Sequence, residues 1–308
     1  MKKLIALLGM LLATAVAHAS ATAPPLVDVA WIKAHSCKPG VVVLDIRNKL
    51  DGGSLTEYLR GHIPCAVYSD YMKAGWRSKV NGVVGQMSPV PQLEKLIGSL
   101  GIDNNTHVVI YHAGKNALDM GSATRVFWTF KALGDDNVSI LDGGYAAYAA
   151  DKADKIERGD RKPEAKTFQA HLRSDMLVGK AEVEKAMKDG VTLIDNRPTD
   201  FYLGITKHPA TKRAGTIPGA VSLPESWLTE NNGGKFRSVA ELKKLYAAAH
   251  VPTKGEEISF CNTGHWASLG WFVSNELLGD KQAKMYDGSM VEWSADPKLP
   301  MEVKVKVE

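Results

Sequence analysis

Two tandem copies of one α/β domain, each a mainly parallel sheet flanked by helices, are what this sequence predicts. The first observation behind this is a repeated strand. Val41-Val42-Val43-Leu44-Asp45 returns as Val191-Thr192-Leu193-Ile194-Asp195, with Arg47 and Arg197 two residues beyond. The second is that other landmarks recur in the same order. His62-Ile63-Pro64-Cys65-Ala66-Val67 is answered by Thr216-Ile217-Pro218-Gly219-Ala220-Val221, and Leu141-Asp142-Gly143-Gly144 by Tyr286-Asp287-Gly288-Ser289. A period of about 150 residues is too long for a solenoid and is the size of one domain. The third is local: short Val/Ile-rich runs alternate with amphipathic helical stretches, the pattern of parallel strands covered by helices on both faces.

The chain divides accordingly. Residues 1–19 read as a signal peptide, 23–155 as the first domain, 156–175 as a linker rich in charged residues, and 176–308 as the second domain. Lys2 and Lys3 precede an apolar run from Leu4 to Ala17, and Ala17-His18-Ala19 supplies the small residues of a cleavage site. The run is shorter than the ~20 apolar residues of a spanning helix, so the expectation is a cleaved, exported protein, periplasmic and not held in a membrane. After Ala23-Pro24-Pro25, a helix is expected to begin between Val27 and Lys33 and to feed the strand at Val41. With 44% hydrophobic and 23% charged residues in 308, the chain is ordinary globular material with no disordered or fibrous bias. Its formal net charge of +4 loses two units with Lys2 and Lys3, too little to indicate nucleic acid. Of the three cysteines, Cys37 and Cys65 are expected as two buried thiols, with a disulfide between them as the alternative.

The third cysteine carries the chemistry. Ile258-Ser-Phe-Cys-Asn-Thr-Gly-His-Trp-Ala267 runs from an apolar strand through a tight loop into a helix that is expected to end at Gly279. Cys261 sits at the turn. Loop amides above a helix N-terminus stabilise negative charge and favour a thiolate, so the position suits a nucleophile. A cysteine that closes an apolar strand is also ordinary core material. The polar, glycine-containing sequence after Cys261 decides for function, because it is poor core and good anion cradle. In the first copy the matching strand end, Val108-Val109-Ile110-Tyr111, is followed by His112.

The duplicated α/β unit, the Asp-x-Arg after an early strand, the Ile-Pro-Gly-Ala turn and the Cys-x-x-Gly loop together resemble the tandem-domain rhodanese family of thiosulfate and mercaptopyruvate sulfurtransferases. The resemblance covers essentially the whole mature chain. It implies a catalytically silent first copy and a second copy that carries the nucleophile, as His112 and Cys261 do here. It implies transfer of a sulfane sulfur from a small donor, through a persulfide on Cys261, to a thiol or cyanide, with no metal or other cofactor. The loop of Cys261, Asn262, Thr263, Gly264, His265 and Trp266 offers the N–H groups an anionic persulfide needs. Asp195 and Arg197 are expected as a structural ion pair, since Asp45 and Arg47 repeat them in the silent copy.

Members acting on thiosulfate often carry a cation directly after the cysteine and another after the Asp-x-Arg, where this chain has Asn262 and Phe201. The basic insertion Lys207-His208-Pro209-Ala210-Thr211-Lys212-Arg213 is open to two readings, a solvated surface loop or a substitute in which Lys212 and Arg213, with His265, hold the donor. The residues six and seven after Cys261 are Ala267 and Ser268, which removes the arginine a cysteine phosphatase needs. Cys261 with His265 alone is an incomplete zinc site. Two other readings stand beside thiosulfate: mercaptopyruvate as donor, and a non-enzymatic persulfide carrier for a periplasmic partner protein.

Overall fold

The computed structural model describes residues 23–307. The expected signal peptide and its cleavage site fall outside them. Among the described residues there are twelve strands: β1 Leu26–Val27, β2 Val41–Asp45, β3 Val67–Tyr68, β4 Arg77–Val80, β5 Val83–Met87, β6 His107–Tyr111, β7 Val138–Leu141, β8 Leu177–Val178, β9 Thr192–Asp195, β10 Val221–Ser222, β11 Glu257–Phe260 and β12 Ala283–Tyr286. Ten of them form two all-parallel sheets, ordered β1-β7-β6-β2-β3 and β8-β12-β11-β9-β10, so the two copies have one topology. The expected α/β duplication is what the chain adopts. Leu26–Val27, where the sequence suggests the start of a helix, is instead the edge strand β1 beside β7, and the helix Val29–His35 begins only after Asp28 caps it.

Strand register makes the repeat exact enough to compare residues. Asp45 pairs with Tyr111 in the first sheet and Asp195 with Phe260 in the second, so His112 and Cys261 leave equivalent strand ends. Both Asp-x-Arg pairs are buried ion pairs with N–O distances of 2.6 Å. Each arginine also bonds the carbonyl two residues before the Ile-Pro turn's isoleucine, Gly61 at 2.8 Å and Gly215 at 2.9 Å. The pairs thus lock the strand to that turn, and a buried pair of this kind specifies geometry more than it adds stability.

The copies are joined by more than the linker. Residues 160–173 have no regular structure and lie along the first domain, with Lys166 N–H donating to Gly98 and His171 N–H to Leu133. The helix Ala117–Ala132 of the first copy packs on the helix His265–Phe272 of the second, and Phe127 meets Trp271 and Phe272 across the join. Both helices are buried nearly all round; the second is mostly apolar, and the first buries Asp119, Ser122, Thr124, Arg125 and Thr129 among its apolar residues. One hydrophobic cluster consequently runs through both domains. The second of these helices is α-helical only to Phe272 and continues as a π-turn, Val273–Leu277, before Gly279 ends it. Among the described residues no helix is long and apolar enough to cross a membrane.

Cys37 and Cys65 form a disulfide, which corrects the expectation of two buried thiols. Cys65 has φ of 64° where the second copy has Gly219 at 79°, so the turn demands a left-handed residue and the first copy fills it with a bonded cysteine. The crosslink joins residues 28 apart and should contribute about 3–4 kcal/mol by limiting the unfolded chain. Cys37→Ala with Cys65→Ala is expected to lower unfolding stability by about that much, measured by urea denaturation.

Glu257 is buried at the start of β11, where burial, helped by Asp280, pushes its carboxyl up to about 7. The folded value lies above the unfolded one, so the stability this group contributes is complete below about 4.5 and is lost as pH rises through about 7. Glu257→Gln should therefore gain on the wild type between about pH 5 and about pH 8, by on the order of 2 kcal/mol. Parallel melting curves for the two proteins over that range would contradict this.

Candidate active site

Cys261 is fully buried at the inner end of a cavity of about 430 Å³ that lies between the two domains. Asn262, Thr263, His265 and Trp266 line the same cavity. Gly264 has φ of 71°, and a Cβ there would run into the guanidinium of Arg125 and the carboxylate of Asp287. This position reverses the chain so that the loop closes over the helix N-terminus. Beneath the loop, Ser289 Oγ accepts from the amides of Cys261 and Gly264, both at 3.1 Å, and donates to the Tyr286 carbonyl at 2.8 Å. The amides of Asn262, Thr263, His265 and Trp266 meet no acceptor among the described residues. Neither side-chain atom of the buried Asn262 amide, nor the Trp266 indole N–H, has a partner there either. Open N–H donors in a loop are the groups by which a protein holds an anion.

The first domain supplies the facing wall. β4 and β5 form a hairpin turned by Asn81-Gly82, both at positive φ, and it stands over the loop of the second domain. Its Arg77 donates to the Thr263 carbonyl at 3.0 Å, to the Gly85 carbonyl at 2.8 Å and to the Tyr71 hydroxyl at 2.7 Å. Tyr71 in turn is 2.8 Å from His265 Nδ1, and His265 Nε2 is 2.7 Å from the Leu118 carbonyl. A carbonyl only accepts, so Nε2 carries the proton and Nδ1 accepts from Tyr71. The hydrogen bonds therefore all run one way, from Arg77 through Tyr71 and His265 to the first domain's backbone.

That arrangement corrects the expected anion contacts. Burial, reinforced by the charge of Arg77, holds His265 down at about 3, so it is a neutral linker and not a cation. Lys212 and Arg213 do not line the cavity. Arg213 instead bonds the carbonyls of Ser294, Leu299, Trp293 and Asp296, and the Lys212 amide donates to Ser294 Oγ, so this part of the insertion anchors the C-terminal segment. Lys207 turns back to the Thr211 carbonyl. Only His208 of the insertion reaches the cavity, and burial, followed by the charge of Arg77, lowers its proton affinity. The cations among the lining residues are Arg77 and Lys79, which sequence reasoning missed. The signal for their hairpin was present, an Asn-Gly between Lys79-Val80 and Val83-Val84, but nothing local showed which loop it would cover.

In the first copy the corresponding loop is closed over. His112 Nε2 donates to the Gly234 carbonyl at 3.1 Å, and a Cβ on Gly234 would overlap the backbone of Gly114. Residues 230–236 of the second domain thus close the first domain's loop, as the hairpin of the first domain faces the second's. Asp195 and Arg197 lie behind the loop, bonded to each other and to Gly215.

If His265 is held neutral by burial, its ring should not titrate. A proton NMR titration from about pH 4 to about pH 9 should leave its Cε1–H signal unmoved, and a midpoint near the ordinary value of about 6.5 would contradict the buried network.

The Rhodanese-like domain profile matches this sequence twice, over residues 28–151 and 180–296. A Mycolicibacterium smegmatis protein named "Putative thiosulfate sulfurtransferase" is 31% identical over 291 residues, 90% of this chain and 97% of its own. A Haloferax volcanii protein of the same name is 32% identical over 215 residues, 68% of this chain and 73% of its own. SseA from Escherichia coli, a 3-mercaptopyruvate sulfotransferase, superposes with a TM-score of 0.74 at 26% identity, over 87% of this chain and 99% of that one. The anaerobic ergothioneine biosynthesis enzyme of Chlorobium limicola shares the fold, with a TM-score of 0.77 at 21% identity over 92% of this chain and 71% of its own. With the profile matched in both halves and the duplicated sheets in matching register, the chain belongs to the rhodanese-like domain family, as a tandem member.

Proposed function

We propose that this protein is a sulfurtransferase that takes a sulfane sulfur from thiosulfate onto Cys261 and passes it to a thiol or cyanide. The observation that carries the reading is the buried Cys261 thiol at the end of a cavity, within a loop whose amides at 262, 263, 265 and 266 are open. The relatives named for thiosulfate support the donor. In the first step the Cys261 thiolate attacks the outer sulfur of thiosulfate. The sulfur–sulfur bond breaks and sulfite leaves with the electron pair. The persulfide then bears the charge that the amides stabilise, and a thiolate or cyanide attacks its outer sulfur to return the Cys261 thiolate. Arg77 and Lys79 are the cations placed to hold the donor's oxygens, and Asn262 and Trp266 add neutral donors.

Mercaptopyruvate is the second reading, favoured by the likeness to SseA and by a guanidinium that fits a carboxylate as well as a sulfonate. The Cys37–Cys65 disulfide supports an oxidising, periplasmic home, which we propose together with removal of the leader near Ser20.

Each donor mixed with pure protein should add one sulfur atom to Cys261, seen by mass spectrometry, and multiple turnover should distinguish an enzyme from a carrier. Cys261→Ser should abolish transfer. Arg77→Gln should lower kcat/KM for thiosulfate about tenfold or more, mostly through KM. Sulfur on another residue in the serine variant, or an unchanged KM in the glutamine variant, would overturn these assignments.

A further inference from the structure

The cavity is larger and greasier than an inorganic donor requires. Thiosulfate has five heavy atoms, and at about 30 Å³ per water-sized atom it fills on the order of a third of the space. The volume of about 430 Å³ falls instead in the range that encloses organic ligands, about 300–1,000 Å³. The excess is walled by Leu50, Met72, Val84 and Leu118, all from the first domain, and by Trp266. Met72 and Val84 are each 40% exposed, large apolar side chains only partly covered by the described residues. Apolar surface gathered round a cavity mouth, with Arg77 and Lys79 among it, describes a molecule with an apolar body and an anionic group.

We infer that the first domain selects the sulfur acceptor, and that the preferred acceptor is an organic thiol with an apolar body and one anionic group, not cyanide. The inference rests on Cys261 carrying the persulfide, as proposed above, and concerns only the second step. The acceptor thiolate attacks the outer sulfur of the Cys261 persulfide, the bond to Cys261 Sγ breaks, and the products are an organic persulfide and the Cys261 thiolate. No oxidant or reductant is consumed. The carboxylate or sulfonate of the acceptor pairs with Arg77 or Lys79 while its hydrocarbon lies against Met72, Val84 and Leu118. The hairpin that carries the cations also carries Val84, so one element reads both features.

The test uses the full chain with persulfide installed on Cys261 by inorganic polysulfide, so that it does not depend on which donor is physiological. Discharge is followed by mass spectrometry with three alkyl thiols of similar nucleophilicity: 6-mercaptohexanoate, 3-mercaptopropionate and 6-mercaptohexanol. The long acid should discharge the persulfide about tenfold faster, at equal subsaturating concentration, than the short acid, from partial burial of three methylenes. It should exceed the alcohol severalfold, with that advantage shrinking at high salt. Met72→Ser with Val84→Ser should lower the ratio of long-acid to short-acid rates about fivefold or more, while Lys79→Ala should lower the ratio of acid to alcohol. Equal rates for the three thiols, or ratios that these variants leave unmoved, would overturn the inference even though persulfide forms. Failure of Cys261 to take sulfur from polysulfide, thiosulfate or mercaptopyruvate would overturn the sulfur-transfer reading itself.

Discussion

The guanidinium of Arg125 has no exposed surface, and the join between the two domains depends on it. It pairs with Asp287 of the second domain at 2.6 Å and donates to the Gly264 carbonyl at 3.2 Å, inside the loop that holds Cys261. It also lies over the ring of Trp128. The other oxygen of Asp287 accepts from the Met87 amide at 2.8 Å, at the end of the hairpin that carries Arg77. A charge buried this deeply is tolerated only when its partners are fixed, and removing one partner of such a pair typically costs about 3–5 kcal/mol. One arginine of the first domain therefore sets the position of the second domain's loop and, through Asp287, of the wall that faces it.

The two copies treat each other unequally through equivalent elements. In each, the segment after the third strand of the fold, β3 or β10, leaves its own sheet and covers the other copy's loop. From the first copy it is a hairpin that leaves a cavity beside Cys261. From the second it is a tighter excursion through residues 230–236 that reaches His112 and leaves no room, because Gly234 lies against Gly114. The first copy thus differs twice, by a histidine where the second has Cys261 and by backbone where the second has a cavity. Burial lowers the proton affinity of His112, which suits an interior group whose task is one hydrogen bond.

What could be read from the sequence was whatever repeats or lies close along the chain. The duplicated strands, the Asp-x-Arg pairs and the Cys261 loop are all local patterns, and the fold reproduces them. The cation at the site could not be read this way, because Arg77 and the Thr263 carbonyl it bonds are 186 residues apart and in different domains. Lys212 and Arg213 misled for the complementary reason. They stand near the turn in sequence, but backbone carbonyls at 293–299 offered Arg213 a full set of acceptors, and a guanidinium takes the partners that satisfy it best. For Cys65 a clue existed in the repeat itself: a non-glycine residue standing where the other copy has Gly219 needed something to hold it in a left-handed turn. Pairing with Cys37 is what accompanies it.

The exchange of covering segments also bears on how such a duplicated chain can change over generations. The loop that holds Cys261 and much of the cavity wall beside it belong to different copies, so the two can vary separately. Substitutions in the hairpin alter what enters while leaving the amides round Cys261 in place. A half with histidine where the other has Cys261 is then no relic, since its freedom to drift is bounded by the wall it lends the other half.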